Sequence, residues 1–437
     1  MLCPVNTRLE RWSPQAEVPF AVVVAALAIG LFCASWAILH VGFFTHHPVK
    51  DTPLYQRYGK QIVDGEVPYR DIRLEYPPAA LPFFAVPEIG HPSEETFERR
   101  FEWMMLVCGA AMIALMAVAL TSLGATSTRL TAALALAGIS PLLVGPVMLT
   151  RFDLWPAALS AGALASLVAG RLRLAHGVLA VGVAAKLYPG LLLPLALAFV
   201  WKRRGRREAL VCAGIFLAVA LACFVPFFVL SPGGVWHSVF EQGSRPLQVE
   251  SLGAAIILAL HHLFGLGATM VSSHGSQNLG GSLADAIAAI QGILQVAAVV
   301  LTWVWYARGE PGRERLVRAA AIAVVAYIAL GKVVSPQYLI WLVPLVPLVW
   351  GRRGLWASGL FALACVLTQT WFPYRYWVFA LHFDEAASWT VLVRDLVLVG
   401  LLLVLVWPRR LLLERDDEAG DLPIARREDH PSGAASL

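Results

Sequence analysis

The sequence predicts an all-α polytopic membrane protein of about 12 transmembrane segments, with outer-side loops and short interfacial or re-entrant helices. Three observations carry this reading. Of 437 residues, 58% are hydrophobic and 14% charged, against about 25% charged in soluble domains, and the mean hydropathy is +0.67. Apolar stretches long enough to cross a bilayer recur along the chain. Basic residues gather in the short connections between them. With no water in the bilayer to satisfy backbone amides, such stretches are helical.

Residues 1–17 form a cytoplasmic tail with Arg8 and Arg11, and Val18 to Phe44 is the first span. Its apolar run exceeds the roughly 7–15 residues of a signal-peptide core, so it is read as retained. A first outer loop covers 45–100, and Phe101 to Leu123 crosses back. Arg129, the pair Arg171 and Arg173, and the cluster Lys202 to Arg207 then mark cytoplasmic connections. If Leu174 to Val200 were one span, Arg173 and Lys202 would lie on opposite sides. The segment is therefore a hairpin, broken near Lys186-Leu187-Tyr188-Pro189-Gly190, where Lys and Pro disfavour an uninterrupted helix.

Ala209 to Leu230 spans next and opens a second outer loop, 231–282. Within it Leu252 to Leu266 carries His261 and His262 and is too short for an ordinary span, so it is a re-entrant or surface-lying helix. The glycine-rich stretch Gly275 to Gly281 lacks the lysine and flanking strand of a phosphate loop and reads as a flexible connector. Leu283 to Tyr306, the basic run Arg308 to Arg318, the pair Arg352 and Arg353, a third outer loop at 372–388, and Trp389 to Trp407 with Arg409 and Arg410 complete a transmembrane domain of 18–410. Residues 411–437 are polar, rich in both charge signs and read as a disordered cytoplasmic tail.

The formal charge of +5 does not indicate nucleic acid, because the basic residues sit in loops between spans rather than on one soluble face. Of six cysteines, Cys33, Cys108, Cys212, Cys223 and Cys365 lie in apolar segments and Cys3 in the tail, which is no disulfide or zinc pattern. The outer histidines His46, His47, His237, His261, His262, His274 and His382 show no metal-ligand spacing. No metal site and no certain cofactor follow; a divalent ion has no supporting motif.

The chemistry points to the first outer loop. Asp51-Thr52-Pro53-Leu54-Tyr55, Tyr58-Gly59, Asp64-Gly65, Pro68-Tyr69-Arg70-Asp71 and Glu75-Tyr76-Pro77-Pro78 mix carboxylates, aromatics and stiffening prolines, as a rigid site at a membrane surface requires. Leu54, Tyr58, Ile62 and Val63 recur near helical spacing, so a short amphipathic interfacial helix is expected. Asp51 at its start is either an N-cap or a carboxylate able to accept a proton from an incoming hydroxyl.

Charges at membrane depth are the other candidates. Arg151 and Asp153 stand between two apolar segments, with mutual neutralisation as the plain alternative. Lys186 and Lys332 have no carboxylate nearby in sequence; they either snorkel to the interface or, as unpaired cations on helix breaks, suit a phosphate or diphosphate. Trp371-Phe372-Pro373-Tyr374-Arg375-Tyr376-Trp377 is read as an interfacial aromatic belt in preference to a sugar-stacking surface. Glu241, Arg245, Gln248 and Glu250 are either sugar or acceptor contacts or solvated loop residues.

The run Asp51 to Tyr55, Gly59, Gly65, Pro68-Tyr69 and Tyr76-Pro77-Pro78, then Arg151-Phe152-Asp153, Lys186-Leu187-Tyr188-Pro189 and Ser335-Pro336-Gln337-Tyr338, resembles glycosyltransferase family 87 of the GT-C superfamily. That family includes polyprenol-phosphate-mannose-dependent α-1,2-mannosyltransferases. The resemblance covers the chain apart from its tails and implies a GT-C-like bundle and an inverting transfer. It implies Asp51 as catalytic base, with Lys186, Lys332 and Arg151 binding the donor phosphate. It also implies substrate contacts at Tyr55, Glu75, Tyr76, Asp153, Tyr188, Gln337 and Tyr338. The sugar would be mannose or another hexose or pentose, since similar mannosyltransferases carry histidine in the stretch where Gln337 and Tyr338 stand. The implied partners are a polyprenyl-phosphate sugar donor, a glycolipid or polysaccharide acceptor and membrane lipids, at the extracytoplasmic side of a multi-pass protein of the cytoplasmic membrane.

A transporter or lipid flippase also uses broken helices and buried charges, but concentrates them near the midplane and often in related halves, which this chain lacks. A noncatalytic scaffold leaves the first outer loop unexplained.

Overall fold

Long apolar runs dictate the scaffold. In this computed structural model residues 17–45 and 49–407 are described, apart from the side chains at 239, 241 and 242. Five helices are long and apolar enough to cross a membrane: Val18–Ile38, Glu94–Ser122, Arg206–Leu230, Ser282–Arg308 and Glu385–Val406. Each coincides with a predicted span and differs mainly at its ends. Shorter apolar helices fill the rest, among them Leu154–Val168 and Leu172–Ala185. The bundle is helical throughout except for one small sheet. The expectations for Cys3, Arg8, Arg11, His46, His47, Arg409, Arg410 and the tail 411–437 lie outside the described residues.

The predicted hairpin is present. Leu172–Ala185 ends where Lys186 takes an extended conformation, a 3-10 turn Tyr188–Leu192 follows, and Leu193–Arg204 leads away. Pro189 at the start of that turn has no amide to continue the helix. The two arms return to one side of the bundle, because Arg173 at the start of the first arm pairs with Glu208, just past the end of the second, at 2.8 Å.

The basic connections gather on that same face. Arg203 donates to the Pro311 carbonyl at 2.8 Å, Arg313 to that of Ser122 at 3.2 Å, and Arg129 pairs with Glu314 at 2.6 Å. Arg318 and Arg353 donate to the carbonyls of Leu405 and Trp407 at 2.7 and 2.8 Å. The helix Ser282–Arg308 starts beside the small sheet and ends at this basic face, a rise of about 40 Å at 1.5 Å per residue. The outer-loop residues thus occupy the face opposite the arginines.

On that opposite face the predicted first-loop helix runs over Thr52–Val63. Its buried side is Thr52, Tyr55, Tyr58 and Gly59, rather than the Leu54, Tyr58, Ile62, Val63 stripe. Gly59 is needed for close approach: a Cβ there would lie 2.2 Å from the Phe84 carbonyl oxygen. Thr52 and Lys50 both bind Glu98, at 2.6 and 3.1 Å, which ties the loop to the helix Glu94–Ser122. In the second outer loop Leu252–Phe264 is the expected short helix, capped by Ser251 and ended by Gly265 in the left-handed region.

Gly275 to Gly281 is a correction. It is not a flexible connector: strands β1 (Leu247–Gln248), β2 (Thr269–Ser273) and β3 (Ser276–Gly280) form an antiparallel sheet in the order β1-β3-β2. The reason is the two-residue turn His274-Gly275, both at positive φ (53° and 64°), the backbone twist that closes a tight hairpin.

The hairpin at Lys186 predicts opposite accessibility of its ends. In a cysteine-free background, Leu187→Cys and Arg204→Cys should react with a membrane-impermeant maleimide from opposite sides of the membrane. Labelling of both from one side would contradict the fold.

Candidate functional site

Aromatic packing assembles the site. The Tyr55 ring stacks on Phe84 at 4.7 Å and meets Phe101, Tyr76 and Phe152 at 5.4, 5.7 and 6.1 Å between centroids. Tyr76 meets Phe152 edge to face at 5.1 Å. Phe152 is fully buried and flanked by Arg151 and Asp153, so this cluster presses the first outer loop onto the break before Leu154–Val168.

The two charges flanking Phe152 do not form an ion pair with each other. Arg151 pairs with Asp51, and Asp153 pairs with Lys186 at 2.5 Å. Asp51 occupies the N-cap position of its helix but makes no side-chain cap hydrogen bond, so its carboxylate is spent on Arg151 and not on the helix end. Its second oxygen accepts from the Tyr55 hydroxyl at 3.3 Å. Burial holds the Tyr55 hydroxyl well above the ordinary phenol range, so it remains a donor. The Asp51 side chain keeps 28% of its surface exposed while Arg151 keeps 6%. The carboxylate therefore fronts the site and the guanidinium backs it.

Lys186 is likewise not an unpaired cation, which corrects the expectation drawn from its neighbours in sequence. A partner 33 residues away is invisible to local spacing. Its ammonium also lies over the rings of Phe152 and Trp341, at 4.9 and 5.2 Å. Trp341 donates to the same Asp153 oxygen at 2.6 Å and is stacked between Tyr188 and Tyr338, at 4.1 and 4.0 Å. The other Asp153 oxygen is buried without a hydrogen-bond partner. One desolvated carboxylate thus orients a lysine and an indole at once.

The remaining predicted residues divide. Glu75 pairs with Arg245 at 3.2 Å, and the charge of Arg245 acts on Lys186, which brings both into the cluster. Gln337 is half-buried in the 3-10 turn Pro336–Tyr338 beside the stacked rings. Lys332 stands apart, its ammonium donating to the Gly243 carbonyl at 3.1 Å.

Glu250 is buried, with 2% of its surface exposed, and the charges of Arg394 and Arg151 act on it. Arg394 donates to its carbonyl at 2.8 Å and pairs with Asp395 at 2.8 Å. Sequence reasoning misses Trp341, Arg394 and Asp395, although two adjacent charges inside the predicted span Trp389 to Trp407 were a usable signal. The aromatic belt is corrected in part: Trp371, Phe372 and Tyr376 are buried, and the Glu250 and Arg151 charges act on Tyr376, while Trp377 stays exposed as a belt residue would. Among the described residues no three His, Cys, Asp or Glu side chains converge as a metal site would require.

The assembly holds a partly exposed carboxylate able to take a proton, backed by a guanidinium, beside a partly buried lysine and a second arginine able to oppose negative charge. The profile described as Glycosyltransferase family 87 matches residues 74–336. That span takes in Glu75, Tyr76, Arg151, Asp153, Lys186, Tyr188 and Lys332, and begins after Asp51 and Tyr55. No curated protein sequence matches the chain. The solved structures that align with it include ArnT from Cupriavidus metallidurans bound to undecaprenyl phosphate and the same protein in the apo state. Each is 13% identical and covers 89% of this chain, with 77% and 76% of the ArnT chain covered and TM-scores of 0.45 and 0.44.

Burial, opposed by Arg394 and Arg151, pushes the Glu250 carboxyl up from 4.5 to about 8. A raised carboxyl holds its proton in the folded state, so its contribution to stability is full below pH about 4.5 and is lost as pH rises through about 8. Thermal denaturation should therefore show the protein losing several degrees between pH 6 and pH 9, and Glu250→Gln should flatten that slope. An unchanged slope in the variant would remove Glu250 as its source.

Proposed function

Given that the chain belongs to glycosyltransferase family 87, we propose that it moves a sugar from a polyprenyl-phosphate donor to a glycolipid or polysaccharide acceptor at the outer face of the cytoplasmic membrane, with inversion at the anomeric carbon. The observation that carries this reading is the pair of ion pairs around Phe152: Asp51 with Arg151 and Asp153 with Lys186. Asp51 is the base. The acceptor oxygen attacks the anomeric carbon and forms the new glycosidic bond, its proton passes to the Asp51 carboxylate, and the bond to the phosphate oxygen breaks. Polyprenyl phosphate leaves with the electron pair.

Phosphate is a competent leaving group, so the protein's work is positioning and charge rather than strong acid catalysis. Arg151 and Lys186 oppose the phosphate, and the positive charge of Arg245 reaches the same cluster. Asp153 holds Lys186 in place. Tyr55 orients Asp51, while Tyr76, Tyr188, Gln337 and Tyr338 line the sugar, which we take to be mannose or another hexose or pentose. Lys332, whose ammonium donates to the Gly243 carbonyl of the second outer loop, is a further cation for the donor phosphate. The helix Arg206–Leu230 buries Ala209 and Cys212 among its side chains and leaves Leu217, Leu221, Val225, Phe228 and Val229 exposed, an apolar surface for lipid contact along the path of a polyprenyl tail.

Two outcomes test this. Purified protein given a panel of radiolabelled polyprenyl-phosphate sugars and a membrane lipid extract should label a lipid or polysaccharide product with one of them. Asp51→Asn should lower that rate, measured on folded protein, by roughly 10²–10⁴-fold, the usual worth of a positioned base, and should also lower the melting temperature because Arg151 loses its charge partner. Turnover surviving in that variant would remove Asp51 from the mechanism.

A further inference from the structure

The two outer loops enclose a cavity that the proposed chemistry does not use. It measures about 370 Å³ and is lined by Arg73 and Glu75 of the first loop, His237 and Ser238 of the helix Pro232–Ser244, and Ser273 and His274 of the β2–β3 hairpin. Ligand sites run to about 300–1,000 Å³, so this one is of a size for one or two sugar residues. Its walls are held close. Ser231 donates to the Tyr69 carbonyl at 3.0 Å, and a Cβ on Gly234 would lie 1.9 Å from that same oxygen. Asn278 fixes the hairpin tip by donating to the Ser273 carbonyl and hydroxyl, at 3.1 and 3.2 Å.

The lining is chemically mixed. A carboxylate, a guanidinium, two imidazoles and two hydroxyls offer donors and acceptors together, which suits the neighbouring hydroxyls of a polyol better than a phosphate, because Glu75 in the wall would repel an anion. His274 sits at φ 53°, a region few residues with a side chain adopt, and its Nδ1 is buried without a hydrogen-bond partner. Glu75 also joins this cavity to the charged cluster, since its partner Arg245 acts on Lys186.

We propose that this recess holds the saccharide of the acceptor, with Glu75, Ser273 and His274 exchanging hydrogen bonds with its hydroxyls and the Glu75–Arg245 pair separating it from the donor phosphate. The assignment rests on the glycosyltransferase reading above. The recess would choose the acceptor, while the charged cluster handles the donor.

The test separates binding from transfer. Wild-type protein in nanodiscs is probed by saturation-transfer NMR with the methyl glycosides of mannose, glucose, galactose and arabinose, and with inorganic phosphate as competitor. At least one glycoside should give a signal that phosphate does not displace. Arg73→Ala, His274→Asn, whose side chain tolerates the left-handed backbone, and Ser273→Trp, which fills the space, should each weaken it by roughly tenfold, about one hydrogen bond's worth. Asp51→Asn should leave the signal intact, so failure of the base assignment and failure of the recess read differently. A wild type silent towards all four glycosides, displacement by phosphate, or signals unchanged in all three recess variants would overturn the proposal.

Discussion

Charge at membrane depth must find a partner, and the rest of this structure depends on how four such charges do so. Arg151 and Asp153 are neighbours in sequence, yet each pairs elsewhere, with Asp51 and with Lys186. Leaving either partner buried alone would cost several kcal/mol. The two pairs therefore bind the first outer loop and the Lys186 break to one point beside Phe152. A loop that would otherwise drift over the surface is fixed to the bundle at the place where its carboxylate matters.

The scaffold supports that point from both sides. The break between Leu172–Ala185 and the turn Tyr188–Leu192 supplies Lys186 and Tyr188, and the turn at Pro336–Tyr338 supplies Tyr338, which stacks with Tyr188 on opposite faces of Trp341. Both are helix breaks at proline, where the freed backbone turns side chains inward. On the opposite face the arginines hold carbonyls and carboxylates of neighbouring helices together. Breaks that open one face are balanced by a tied rim on the other. The Glu75–Arg245 pair extends the charged cluster toward the second outer loop and its small sheet.

What could be read in the sequence was what local chemistry determines. The five long spans follow from apolar runs, the break near Lys186 from a lysine and a proline within five residues, and the helix after Asp51 from its periodicity. Pairing was not legible. Nothing near Lys186 announces Asp153, and the distinction between Asp51 as a cap and Asp51 as a partner of Arg151 is decided by packing of Tyr55 on Phe152. The His274-Gly275 turn was a readable hairpin signal that glycine content disguised as a loop. The aromatic stretch 371–377 has the composition of a belt, but Trp371 packs beneath Arg394, a buried charge that the apolar length of its helix obscures.

The central claim is that the two ion pairs around Phe152 form one anion-facing site with Asp51 at its front. Its most direct measurement is an experimental structure of the protein with polyprenyl phosphate bound. The account predicts phosphate oxygens within hydrogen-bonding distance of Arg151 or Lys186, with the Asp51 carboxylate facing the position of the anomeric carbon. A phosphate bound away from both cations, with the Asp51–Arg151 and Asp153–Lys186 pairs undisturbed, would contradict it.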